Sequence, residues 1–551
     1  MIEGRVPDVL SSAASSPGEL PLTDVLKRVA VQHTQFRHDN VLRPLNPEPG
    51  QPTEVWAVSG DQLRLEAATI CYTLDGQAPN TSSASAPMEL SDVIWDPLAG
   101  YLTRWRGEIP GQPADTIVRY RIAGWADAAM STTTPPDTWA LDGQGFWFQF
   151  SAVAGLTTFA FRVEPPGSPA PDWVRDAVVY HIFLDRFHPG TPGGQWQHNG
   201  DPRGIHGGTL PGVRQALPYL HDLGVTCLWL SPLCPSPSYH RYDATDYYAV
   251  DPALGTTQDL RDLIDEAHRR GMRVILDFVP AHCSWKHPAF LQAQASDAAS
   301  TASWFTFAER PDRYRMFLGS SPSLPSIDAQ DPGARAYLIE SAVQWLTTYD
   351  VDGFRIDHAI GVGMDFYVAL RAAMRAAKPD SFTVGEVTDT PDCLRRYRNR
   401  LDAILDFPLA QALRLTFARQ EWGVADLCAF LDAYERYMEA GPGRLSFLDN
   451  HDMNRFLFVA GNRVERLKLA ALCQFTLAPT PVMYFGTEIG LSQERDIDAS
   501  GFGGDAEARR DMPWDTARWD EDLRTFYRSL VALRIDYRVL RDGVRRTIHV
   551  D

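Results

Sequence analysis

Cysteine is scarce in this chain and never clustered. The seven thiols, at positions 71, 227, 234, 283, 393, 428 and 473, form no CxxC pair and no tight Cys/His group. That excludes a disulfide framework or a zinc centre as the organising device. Scattered thiols in odd number suit a reducing compartment, so a cytoplasmic location is expected. Long apolar runs are missing too. No window approaches about 18 uninterrupted apolar residues, so no membrane-spanning helix is expected. The opening "MIEGRVPDVLSSAASSPGELPL" lacks the apolar centre of a signal peptide. Positive charge is in deficit: 52 Lys and Arg stand against 70 Asp and Glu, a net charge of −18. Nucleic acid and anionic membranes are therefore poor partners. Internal repeats and low-complexity tails are absent.

What is present is 551 residues with 44% hydrophobic character, enough for roughly three domains of about 150 residues or a large barrel with additions. Residues 22–40 are expected to form a helix. From about 51 to 165 the pattern is short alternating runs such as "TEVWAVSG" and "IVRYRIAGWA", separated by turn clusters, which reads as an antiparallel β-sandwich. A proline-rich linker, "VEPPGSPAPDW", closes this first domain at about residue 170.

Beyond it, strands alternate with helices. Eight apolar runs, "AVVYHIFLDRF", "VTCLWLSPL", "MRVILDFVPAH", "VDGFRIDH", "SFTVGEV", "LDAILDF", "RLSFLDNHD" and "TPVMYFG", are separated by amphipathic stretches such as "TQDLRDLIDEAHRRG". They match a (β/α)8 barrel over 171–282 and 331–535. Residues 283–330 form a lid-like insertion after the third strand, and 536–551 are expected to be the remnant of a C-terminal β-domain.

Polar residues stand at the tips of these apolar strands. Asp277 ends the third and Arg355 with Asp357 the fourth, while Glu386 ends the fifth and His451–Asp452 follow the seventh. In "YDVDGFRIDHAIG" (349–361), Gly353, Arg355 and Asp357 share one face because strand side chains alternate. Carboxylates at such positions are costly to bury without partners or chemistry.

Four ordered blocks, "DFVPAH" (277–282), "GFRIDHA" (353–359), "GEV" (385–387) and "FLDNHD" (447–452), carry a resemblance to the α-amylase superfamily of retaining glycoside hydrolases. Supporting blocks are "YHIFLDRF" (180–187), "SPSYHRYDATDYYAVDPALGT" (236–256), "PVMYFGTEIG" (481–490) and "RRDMPW" (509–514). With the N-terminal sandwich, the likeness is nearest the cyclomaltodextrinase, neopullulanase and maltogenic amylase branch.

The resemblance implies that Asp357 is the nucleophile, Glu386 the general acid/base and Asp452 the third carboxylate, which grips sugar hydroxyls. It also implies that Tyr242 and His240 shape the subsite before the cleaved bond, that His282 and His451 bind hydroxyls, and that Asp277 orients Arg355. The residue types fit independently: a retaining glycosidase needs one ionised carboxylate to attack and one protonated carboxyl to donate. Arg355 is expected to hold Asp357 ionised. The implied substrates are maltooligosaccharides, cyclodextrins or related α-glucans. The alternatives are an α-glucosidase, a trehalose- or isomaltose-forming glucosyltransferase, and, more remotely, an inactive glucan-binding homologue.

Two departures stand out. The first block carries Ala281 where many members have a calcium-binding asparagine, and a methyl group offers a hard cation nothing. No cofactor or required metal is therefore expected. After the nucleophile, Ile360 and Gly361 stand where endo-acting members carry lysine and histidine, so the acceptor side differs from that of a starch-liquefying enzyme. Trp95, Trp105, Trp125 and Trp147 are assigned to the sandwich core in preference to glucan stacking. A homodimer built through the first domain is the expected partner besides substrate.

Overall fold

In the computed structural model, the residues described are 34–549 without 97–99, 131–133, 143–156, 166–169, 192–195, 197–200, 440 and 500–503. Eight parallel strands close into a barrel: β1 (Val179–Ile182), β2 (Cys227–Leu230), β3 (Arg273–Phe278), β4 (Gly353–Ile356), β5 (Phe382–Gly385), β6 (Ala403–Leu405), β7 (Gly443–Ser446) and β8 (Thr480–Tyr484). β1 pairs with β8, so the sheet has no free edge. All eight runs read from the sequence are these strands.

Alternation along the strands sorts the barrel interior. Val179, Cys227, Ile275, Phe382, Ala403 and Leu445 belong to one buried cluster with Trp229 and Val384. In β3 and β4, Ile275 pairs with Gly353 and Asp277 with Arg355. The apolar layer therefore lies below and the polar pair one pleat above. Gly353 is required by close approach: a Cβ there would lie 2.0 Å from the Phe382 carbonyl oxygen. Any side chain would force β4 and β5 apart and misplace Arg355.

The helices outside begin at clear sequence signals. Thr256 caps Thr257–Arg269 by accepting from the Asp259 N–H, and Asp259 returns the bond to the Thr256 N–H, a reciprocal capping box. Asp331 caps Pro332–Tyr349 by accepting from the Gly333 and Ala334 N–H groups, with proline in the first turn. At the N-terminal mouth of the barrel, the fully buried Asp352 accepts from His268, Arg273, Lys378 and the Val274 N–H.

The insertion after β3 holds the helix Pro288–Ala295 and two small hairpins, Phe307–Glu309 with Arg313–Tyr314 and Met316–Phe317 with Ser321–Pro325. A bridge between His282 and Ser326 fastens it beside the site loop.

The N-terminal domain is a ten-stranded, almost wholly antiparallel sheet, eight strands on one hydrogen-bonded path and two short ones paired off it. It folds over so that Val55, Ile109, Ile70, Ile122 and Phe159 share one core, which gives the expected sandwich a continuous sheet. Arg119 from this domain and Arg335 from the barrel both pair with the buried Asp365, at 3.1 and 2.8 Å.

Three expectations need correction. Residues 36–38 are a strand paired with 58–59, not helix, because Phe36 and His38 bury alternately. The remainder of the proposed helix before residue 34 lies outside the described residues. Val539–Asp542 is a helical turn, and residues 543–549 form no strand. They pair with no neighbouring strand there, so extended backbone gains no ladder. Among the tryptophans, Trp105 and Trp125 are buried, but Trp95 is 64% exposed against an exposed Tyr101. Trp147 lies outside the described residues.

Candidate active site

Arg355 is the centre of the site. Its guanidinium is fully buried, and Nη1 donates to Asp277 Oδ1 and Asp357 Oδ1, both at 2.8 Å. Nη2 lies 2.7 Å from Glu386 Oε1. Below, the Trp229 indole presents its face to the guanidinium, 5.3 Å from the ring centre. One planar cation thus addresses three carboxylates brought by β3, β4 and β5, which the fork geometry of arginine allows and lysine does not.

The turn after β4 places Glu386. His358 adopts the left-handed conformation at φ 43°, and its N–H donates to Glu386 Oε2 at 2.9 Å. A non-glycine residue held in that conformation stores roughly 1–3 kcal/mol. Here the strain aims a backbone donor at a carboxyl group. Ala281 packs against this same turn: a Cβ on Gly361 would meet the Ala281 methyl at 3.2 Å.

Asp452 closes the other side. His451 Nε2 is 2.9 Å from Asp452 Oδ2, and Arg509 Nη2 donates to Asp452 Oδ1 at 2.7 Å. Arg509 also donates to the His451 carbonyl and to the Tyr239 hydroxyl. The Tyr242 hydroxyl donates to Asp277 Oδ2 at 2.8 Å and meets His451 Nε2 at 2.7 Å, with its ring parallel to that of His451. His240 Nδ1 accepts from the Tyr242 N–H at 3.2 Å. That contact orients the YHRY turn, and burial lowers the His240 pKa to about 3. His282 is buried, and burial lowers its pKa to about 4, with a backbone contact to Tyr242 partly opposing. A neutral imidazole can both donate to and accept from sugar hydroxyls. Phe317 of the insertion lies 4.4 Å from the His282 ring and 4.7 Å from that of His358.

The two aspartates are shifted in opposite directions. Burial is the largest influence on Asp357 and pushes its carboxyl well above the ordinary aspartate range. Arg355 opposes this, but Glu386, Asp277 and Asp452 push upward with burial. Three carboxylates sharing one guanidinium titrate as a coupled set. Asp452 goes the other way: burial raises it, but His451 and Arg509 more than offset this and bring it below the usual range. Its side chain is 45% exposed to the cleft, so water screens part of that attraction.

All nine residues singled out in the sequence, Asp277, Tyr242, His240, His282, Arg355, Asp357, Glu386, His451 and Asp452, are linked through this one network or line it. Sequence reasoning missed three residues of the site. Arg509 sits inside the quoted "RRDMPW" block, which was the available signal. His358 was visible only as an odd neighbour of Asp357, and Phe317 gave no signal. Among the described residues, no group of three or more His, Cys, Asp or Glu is arranged to hold a metal ion.

Residues 181–529 match the family described as Alpha amylase, catalytic domain. The chain is 36% identical over 374 residues to Alpha-amylase 2 of Dictyoglomus thermophilum. It is 34% identical over 393 residues to a cyclomaltodextrinase of Geobacillus thermopakistaniensis. Each match covers 68% of this chain but 66% and 64% of those relatives, so the chain spans about two thirds of their length. Among solved structures, the type III pullulan hydrolase from Thermococcus kodakarensis is similar with a TM-score of 0.63 at 27% identity. That likeness covers 92% of this chain and 89% of the other.

Proposed function

The chain belongs to the α-amylase family of glycoside hydrolases, and from that premise we propose that it cleaves α-glucosidic bonds of maltooligosaccharides, cyclodextrins or related α-glucans through a covalent glycosyl–Asp357 intermediate. The observation that carries this reading is the single buried guanidinium of Arg355 reaching Asp277, Asp357 and Glu386 at 2.7–2.8 Å. Such a cluster supplies a nucleophile and a proton donor side by side.

In the productive complex Glu386 carries the proton and Asp357 is the anion facing the anomeric carbon. Asp357 attacks while Glu386 protonates the leaving oxygen. The new ester is neutral, so Glu386 loses a repelling neighbour and then deprotonates the incoming water or sugar hydroxyl. Asp452, braced by His451 and Arg509, grips ring hydroxyls as the sugar flattens. His282 and Tyr242 complete the walls. The chemistry requires no metal, in keeping with the methyl group at position 281.

We place the chain in the cytoplasm, supported by seven free thiols. Its partner besides substrate is a second copy meeting the N-terminal sheet, where Leu90, Val93, Trp95 and Tyr101 are all more than half exposed.

A product time course on maltotriose, a cyclodextrin and pullulan tests the substrate reading. Shorter sugars alone indicate hydrolysis, and longer or relinked ones indicate transfer. No turnover on any of the three would refute the reading.

A further inference from the structure

The helix that follows β6, Phe407–Leu413, runs directly into a turn of π-helix at Arg414–Ala418. Such i→i+5 turns are rare, and they re-aim the side chains around them. Arg414 is 5% exposed. Its Nη1 donates to two backbone carbonyls, Leu448 O at 2.9 Å and Asn454 O at 3.0 Å. Those carbonyls are the two ends of the turn that carries Asn450, His451 and Asp452.

We propose that Arg414 is a positioning residue for catalysis: by tying the ends of the 448–454 turn, it sets where Asp452 stands relative to Arg355 and Glu386. This rests on the reading of Asp452 as the acid that grips the distorted sugar.

Packing alone would not favour an arginine here. A buried cation is more costly than an apolar side chain of similar volume, and Arg414 forms no ion pair among the described residues. Burial lowers its pKa to about 10, with Asp449 partly opposing. What the guanidinium contributes is one rigid donor bridging two acceptors six residues apart. Other contacts support the turn elsewhere. Asn450 Oδ1 accepts from the Asp452 N–H at 2.9 Å, and Asp449 accepts from the Phe456 N–H at 2.8 Å. Arg455 reaches Phe485 O and Ala508 O at 2.9 Å. These fix the middle and the far flank. Among the described residues, no other side chain bonds both Leu448 O and Asn454 O. Arg509 also holds the His451 carbonyl and Asp452 Oδ1, so the turn could stay folded without Arg414 while its freed ends let Asp452 shift, which matters because misplacements near 1 Å lower rates about 10²-fold.

The test is steady-state kinetics with α-maltosyl fluoride, whose leaving group needs little acid help, on Arg414→Met, Arg414→Lys, Asp452→Asn and the Arg414→Met/Asp452→Asn double variant, each with a thermal melt. The expected result is a kcat about 10- to 100-fold lower for Arg414→Met with KM changed less than about threefold. Lysine, which can still donate to both carbonyls, should recover most of the loss. On the Asp452→Asn background, Arg414→Met should cost less than about threefold more, because the group it positions is already gone. Equal losses on both backgrounds, or an unchanged kcat in folded Arg414→Met, would overturn the proposal. Full activity of Asp452→Asn alone would refute the role of Asp452 and the proposal with it, whereas additive losses would refute the clamp alone. Should Arg414→Met not fold, Arg414→Gln, which retains one donor group, is read on the same two backgrounds against the same criterion.

Discussion

At the scale of residues, the site turns on one cation answering to three acids. A lysine at position 355 would keep the charge but could not address Asp277, Asp357 and Glu386 together. Each charge-assisted hydrogen bond contributes roughly 1.5–3 kcal/mol, so Arg355→Lys should lower kcat/KM by about 10²-fold or more. The pH profile gives a second readout. Burial and three neighbouring acids raise Asp357, with Arg355 as the opposing charge. Loosening that contact raises Asp357 further. Because Asp357 must be ionised to attack, the acid limb of kcat/KM should move to higher pH in Arg355→Lys; movement to lower pH, or full activity, would contradict the account. The catalytic set was legible in the sequence because it breaks local rules: charged side chains interrupt apolar strands at their tips. Arg414 was not legible. Its partners are backbone carbonyls 34 and 40 residues away, and carbonyls carry no sequence signature. The upward push of burial on Asp357 was likewise not legible, since a motif does not state burial.

At the scale of elements, the eight strands were readable because each is a short apolar run between turn signals, and the helices between them start at capping residues. The three-residue strand at 36–38 was not readable, since its alternation is too short to outweigh the helical reading of its surroundings. The π-helical turn was invisible as well, because residues 407–418 read as one helix and nothing in that run marks an i→i+5 turn. The N-terminal mouth of the barrel yields a stability prediction. Burial raises the pKa of Asp352, but His268, the Val274 N–H, Lys378 and Arg273 outweigh it, and the carboxyl falls below its usual range. The folded protein therefore binds that proton more weakly than the unfolded chain does. The contribution is fully present above the ordinary aspartate value near pH 4 and is lost as pH falls below it. Asp352→Asn should lower stability by about 3 kcal/mol at pH 7, and by progressively less between about pH 4 and pH 2, measured by denaturant unfolding. An equal loss at both ends of that range would contradict the assignment.

At the scale of the whole molecule, the barrel's closure allows acids from distant parts of the chain to meet. Asp357, Glu386 and Asp452 come from β4, β5 and the turn after β7, and β4 and β5 are held in register through Arg355 opposite Val384. The sandwich is stitched to this barrel by Asp365, shared between Arg119 and Arg335, so the two units meet through a buried charge network. The order of domains was plain in the sequence from the change of pattern near residue 170. The strand order of the first domain's ten-stranded sheet was not, because it depends on pairing partners that alternation does not name.

The central claim is that Asp357 becomes covalently glycosylated while Glu386 manages the proton. Trapping tests it directly: Glu386→Gln incubated with α-maltosyl fluoride, quenched in acid and weighed by mass spectrometry. The account predicts a mass gain of one maltosyl unit, localised to the peptide containing Asp357 and absent in Asp357→Asn. No adduct, or one carried on another carboxylate, would contradict it.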